Sequence, residues 1–189
     1  MAGKFIEDFV VGAVDISPGR TVTETDVIAF SWVSGDTNPM HTDAEYSAKS
    51  SIGQRIAHGA LGLSICTGLS ARLGYLDGTA IAALGIDEWK FLKPIYLNDT
   101  VTLRSTVTEA RPTSKPDRGV LVRRMELLNQ HGELLQTGLM TTMVRTRATA
   151  GEYEQHGHRE PVRPDGRAAD GARERAGPAG EEPALAVDP

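Results

Sequence analysis

The residues of this chain best suited to chemistry fall in two short stretches. The first is Ser34-Gly35-Asp36-Thr37-Asn38-Pro39-Met40-His41. It packs a carboxylate, a carboxamide and an imidazole into six residues, Asp36 to His41. Pro39 disfavours helix at Asn38, so the segment reads as a loop after a helix end. Asp36 and His41 are five positions apart and do not align on a regular helix face. A turn forced by Asn38-Pro39 brings them together, and a carboxylate and an imidazole converging on one spot hold and deprotonate a water. The same residues equally describe a helix C-cap followed by an Asx-type turn, with His41 free to point elsewhere. On residue types alone both readings stand.

The second stretch is Ile56-Ala57-His58-Gly59, opening the longest helical pattern. At a helix start free N–H groups meet the positive end of the macrodipole, where a developing oxyanion is stabilised. Glycine there lets a substrate carbonyl approach closely. The plainer reading is a helix start that needs a small residue for packing. His58 reads as a structural or capping group ahead of a base. Cys66, the only cysteine, sits inside the helix as a small core residue with no base assigned to it. With one cysteine no internal disulfide forms, which suits a reducing compartment.

These stretches need a scaffold. Val10 to Ile16 reads as a first strand. Thr23-Glu24-Thr25-Asp26 resembles a capping box before a helix carrying Val27, Ile28, Phe30, Trp32 and Val33, ended by Gly35. Asp43 caps a short second helix. Gly59 to Leu73 is the long helix, flecked with small residues and ended by Gly74. The second half carries strand patterns at 79–84, 88–92, 100–109, 119–128 and 133–145, separated by turn signals such as Leu97-Asn98-Asp99 and Gln130-His131-Gly132. Helices first and strands second predict an α+β fold, an antiparallel sheet wrapped around a central helix.

Composition divides the 189 residues near position 148. Residues 1–148 form the folded domain. Residues 149–189, rich in Gly, Pro, Ala, Arg and Glu, read as a disordered tail, which includes His156 and His158. Aromatics are only 5% of the chain, so aliphatic side chains fill the core. The net charge of −5 offers no electrostatic footprint for nucleic acid or an anionic membrane. The apolar run near 56–73 is broken by Gly, Ser and Thr and reads as a buried helix, not a membrane span. The N-terminus lacks an apolar signal region, so the expected location is the cytoplasm.

Together these residues resemble a family. Phe30, Val33, Ser34-Gly35-Asp36, Asn38-Pro39, Met40-His41 and the small Ser47 look like the hydratase signature of the MaoC-like dehydratases, which include the (R)-specific enoyl-CoA hydratases. Ala57-His58-Gly59 follows at the usual distance. The stretch from Trp89 to Thr100 resembles the family's W-x-F-x-x-P-V-x-x-G-D strand. Met40 replaces a more usual Leu, Ile or Val. Asn98 replaces a Gly, and Asn tolerates left-handed backbone.

The resemblance spans roughly residues 5 to 147 and implies a hotdog fold, normally paired as a homodimer. It implies Asp36 and His41 as the catalytic dyad and the Gly59 N–H as oxyanion donor, with Asn38, Ala57 and His58 at the substrate. The implied reaction adds water across a trans-2-enoyl thioester of CoA or acyl carrier protein, with no metal or redox cofactor. Two alternatives stand beside it: a thioesterase on the same fold, and a non-catalytic subunit that only binds an acyl chain.

Overall fold

The computed structural model describes residues 3–149. The expected tail from residue 150 on, with its two histidines, lies outside the described residues. The first helix, α1 (Glu24–Ser34), begins at the expected capping box. The Thr23 hydroxyl accepts the Asp26 N–H at 3.2 Å, and the Asp26 carboxylate accepts the Thr23 N–H at 2.8 Å. Gly35 ends it in left-handed geometry at φ 74°. Its apolar face is narrower than the sequence suggests. Val27 and Ser31 are buried and Phe30 packs against the core, but Trp32 and Val33 are 79% and 87% exposed.

The segment expected to be a loop contains one helical turn, α2 (Pro39–Thr42). Asn38 starts it: its Oδ1 accepts the Met40 N–H at 3.0 Å. Pro39 stands at the first helical position, where a missing N–H is harmless. Asp43 then caps α3 (Ala44–Ala48) through the Tyr46 N–H at 2.9 Å.

The long helix α4 (Gly59–Arg72) buries Leu61, Gly62, Ile65, Cys66, Leu69 and Ser70, a stripe at three-to-four spacing. Its small residues divide into two sets. A Cβ on Gly62 would overlap the Gln136 carboxamide and lie 2.5 Å from Ile95 Cδ1, so glycine is required there for contact with the sheet. Gly68 meets nothing within 4 Å, and Ala60, Ser64 and Ala71 are exposed.

The sheet is antiparallel throughout: β3 (Ala80–Phe91) pairs with β6 (Leu134–Arg145), β6 with β5 (Arg118–Leu128) and β5 with β4 (Thr100–Pro112). Two short strands, β1 (Val14–Ile16) and β2 (Arg20–Thr21), pair with β4. Two expectations are corrected here. The strand expected over Val10 to Ile16 starts only at Val14, after a turn at Gly12 with φ 87°. The two strands expected at 79–84 and 88–92 are one strand, β3. Its irregular middle is absorbed by register shifts around Gly85 and between Asp87 and Lys90, with Glu88 at φ 53°.

One sheet curved around one helix is the hotdog arrangement. Most of the core lies between α4 and the sheet, through Ile65, Leu69, Leu103, Met125, Leu127 and Leu135. A second cluster holds Ile6, Phe9, Tyr75, Val107, Leu121 and Val144. Where the clusters meet sits Arg123, 2% exposed, cross-strand from Val107 and Met140. Its Nη1 donates to Ser70 Oγ at 2.9 Å and Tyr75 OH at 2.6 Å, and its Nη2 donates to Thr142 Oγ1 at 3.1 Å.

The outer edge of β3 has no partner strand among the described residues, and Ile81, Leu84 and Ile86 on it are exposed. No described helix is long and apolar enough to cross a membrane.

Candidate active site

Three elements bring the two chemical stretches together. Gly35 releases the chain from α1, and the Asp36 Oδ1 accepts the Asn38 N–H at 3.2 Å. The Asx-type turn weighed against catalysis is therefore present, and it is what positions the carboxylate. Asn38 starts α2, and α2 carries His41 back toward the strand-like Ile56, whose carbonyl takes the His41 Nδ1 at 2.8 Å. A carbonyl has no proton to give, so Nδ1 is the donor. In the neutral ring this tautomer leaves the lone pair on Nε2, the nitrogen that can serve as a base.

His58 is buried, 2% exposed, and does not cap α4 with its side chain. Its Nε2 faces the Asp36 carbonyl at 3.0 Å and Ser31 Oγ at 3.4 Å, while the Ser31 hydroxyl itself donates to the Val27 carbonyl. Nε2 is therefore protonated, and the buried Nδ1 has no partner. The ring stacks on His41 with centroids 3.8 Å apart and planes 32° from parallel. His58 thus holds both halves of the dyad, one through the backbone of Asp36 and the other through the face of His41.

One carboxylate oxygen of Asp36 and one ring nitrogen each of His41 and His58 lie within 4.8 Å of one another. Groups within that reach can share one bridging water, since two hydrogen bonds of ~2.8 Å at a tetrahedral angle span about 4.6 Å. The same three groups are close enough together to serve as ligands of one metal ion.

Beside the dyad lies a cavity of about 620 Å³, lined by His41, Ala57, Gly59 and the apolar walls Ile52, Ile56, Phe91, Leu92 and Ile95. Gly59 is the first residue of α4, and its N–H has no acceptor within the helix. The Phe91 ring stands over it, 2.9 to 3.2 Å from where a Cβ would project. Of the residues singled out from sequence, His41, Ala57 and Gly59 line the cavity. Asp36, Asn38 and His58 are not part of the cavity wall: Asp36 is exposed beside His41, Asn38 shapes the loop and His58 stacks on the His41 ring. Gln136, which sequence reading missed, also lines the cavity; it lies 77 positions from Gly59 with no local motif around it. Cys66 is buried as expected, and burial pushes its thiol up to about 12 despite the nearby Arg123.

A profile described as "MaoC like domain" matches residues 9–124. An (R)-specific enoyl-CoA hydratase of Rhodospirillum rubrum is 35% identical over 112 residues, 59% of this chain and 74% of that protein. Protein MaoC of Klebsiella aerogenes is 33% identical over 103 residues, 54% of this chain but 30% of the Klebsiella protein, so the chain spans under a third of that relative's length. The crystal structure of a MaoC-like dehydratase from Rhodospirillum rubrum superposes with a TM-score of 0.68 at 28% identity, covering 77% of this chain and 99% of that one. With the profile covering well over half of the sequence and the fold agreeing throughout, the chain belongs to the MaoC-like family.

Proposed function

We propose that this chain hydrates trans-2-enoyl thioesters of CoA to (R)-3-hydroxyacyl thioesters, and runs the reverse dehydration on the same residues. The observation that carries this reading is that a carboxylate oxygen of Asp36 and a ring nitrogen of His41 lie within 4.8 Å of one another, with His41 and Gly59 lining one largely apolar cavity. The relatives named as enoyl-CoA hydratases supply the substrate class.

In the forward direction the thioester carbonyl accepts a hydrogen bond from Gly59, which draws electron density from the conjugated double bond and leaves C3 electrophilic. Water held between Asp36 and the His41 Nε2 attacks C3 as one of the two takes its proton. A proton then returns to C2 on the same face, so the net change is H and OH added across the double bond. Nothing is oxidised or reduced, so no redox cofactor is called for, and proton transfer is within reach of the two side chains without a metal. Ile52, Ile56, Phe91, Leu92 and Ile95 give the acyl group apolar walls, in a cavity within the ~300–1,000 Å³ usual for small ligands.

The open apolar edge of β3 supports pairing of two copies along that edge. The test of the activity is to mix purified protein with crotonyl-CoA. The enoyl-thioester absorbance falls, no free thiol appears, and chiral analysis of the product finds the 3R alcohol. Thiol release without loss of the double bond would replace the hydratase with a thioesterase. Binding without turnover would leave a non-catalytic acyl-binding subunit. Parallel assays with enoyl thioesters of acyl carrier protein separate the two carriers.

A further inference from the structure

Gln136 is 1% exposed on β6, beneath the first turn of α4. Both ends of its carboxamide are engaged. Nε2 donates to the Gly59 carbonyl at 3.1 Å, and Oε1 accepts the indole N–H of Trp89 at 3.2 Å. The indole bond fixes which end of the amide faces the helix, because Trp Nε1 can only donate. Two glycines make room for this relay. A side chain at Gly62 would overlap the carboxamide, and one at Gly138 would lie 2.5 Å from the Trp89 ring. Trp89 itself stands in the irregular stretch of β3, where the register shifts between Asp87 and Lys90.

No other side chain among the described residues hydrogen-bonds to Gly59, and glycine is the residue least able to hold its own backbone direction. We propose that Gln136 is a positioning residue: the Trp89–Gln136–Gly59 relay sets the aim of the Gly59 N–H toward the thioester carbonyl. The inference rests on the reading of Gly59 as oxyanion donor. Gln136 shares the cavity wall with Gly59 and acts on its carbonyl, one peptide unit on from the N–H that the proposed function assigns as donor. Its loss therefore leaves the donor present but misdirected.

The test uses Gln136→Met, which keeps length and volume but cannot donate, and Trp89→Phe, which leaves the carboxamide in place but unoriented. Displacing a reacting group by about 1 Å can cost 10²-fold, so Gln136→Met should lower kcat by roughly 10- to 100-fold. Its KM should change by less than about threefold, because the hydrogen bond strengthens mainly as the carbonyl oxygen gains charge in the transition state. Isotope-edited infrared spectra of bound butyryl-CoA labelled with ¹³C at the thioester carbonyl give the signature that a purely structural role would not move. The wild-type protein should shift the carbonyl stretch to lower frequency, and Gln136→Met should lose part of that shift. A wild-type spectrum without the shift would overturn Gly59 as donor, whatever Gln136 does. A wild-type shift kept in full by Gln136→Met, with normal kcat, would overturn the role of Gln136. Should Gln136→Met fail to fold, Trp89→Phe decides: a reduced kcat with a smaller shift supports the relay, and wild-type values for both overturn it.

Discussion

The shared water between Asp36 and His41 makes a quantitative demand on three variants. The two groups lie within 4.8 Å, close enough for one water to bridge them. General acid–base catalysis supplies about 10²–10⁴-fold, equivalent to about 3–5 kcal/mol of barrier at ~1.36 kcal/mol per decade. Asp36→Asn keeps an oxygen for the Asn38 N–H, so the turn should survive while the carboxylate base is gone. His41→Gln keeps donors for the Ile56 carbonyl but has no basic nitrogen opposite them. Each single variant should lose roughly 10²–10⁴-fold in kcat, with KM little changed. Groups acting on one water act as a unit, so the double variant should be barely slower than the poorer single. The assay is initial-rate loss of crotonyl-CoA absorbance, with circular dichroism and Tm as controls. Losses that multiply would mean two independent roles and would refute the shared water. A normal kcat in either single variant with an intact fold would remove that residue from the mechanism.

The remaining predictions concern the rest of the molecule. Leu84→Lys with Ile86→Lys, placed on the open β3 edge, should shift a dimer toward monomer in light scattering; unchanged mass would move the pairing surface elsewhere. With its thiol at about 12, Cys66 is thiolate in about one molecule in ten thousand at pH 8, so the folded protein should resist iodoacetamide until denatured; rapid labelling of native protein would contradict its burial. Glu126 is held below the usual carboxylate range by paired hydrogen bonds from Arg104 at 2.8 and 2.9 Å, with burial opposing. A depressed carboxyl stabilises the fold above its unfolded pKa, and the contribution disappears as pH falls through the lower folded value. Arg104→Ala should therefore lower stability by about 0.5–1 kcal/mol at pH 7, since Arg104 is partly exposed, and by nothing measurable in strong acid. A gap between the two proteins that stayed constant from pH 7 into strong acid would contradict that linkage.

Much of the site could be read from sequence because its groups lie within a few residues of chain-terminating signals. Gly35, Asn38-Pro39 and Asp43 fix the turn locally, and each adopts the backbone its residue type favours. Asn98, standing where the family pattern has glycine, takes φ 71° as its short amide allows. What escaped sequence reading depends on long-range contact. Gln136 acquires its place only when β6 passes beneath α4. The strand patterns at 79–84 and 88–92 left a gap at 85–87, but pairing with β6 carries β3 through it with register shifts. Trp32 and Val33 follow helical spacing, yet the helix is covered on one side only, so they stay exposed. His58 read as a structural or capping group; its side chain does not cap α4, and the buried ring turns toward Ser31 and Asp36.

The interlock of Gly62 with Gln136 and of Gly138 with Trp89 constrains the history of this sequence as well as its shape. Four positions share two fixed volumes, so a methyl gained at either glycine is tolerated only after its opposite side chain has shrunk. Drift through these sites must go by paired steps, with a cavity as the intermediate in one order and an overlap in the other. Lineages that keep the carboxamide should keep glycine at both positions, and in lineages that abandon it Ile95 still crowds position 62 and the β3 backbone still crowds position 138.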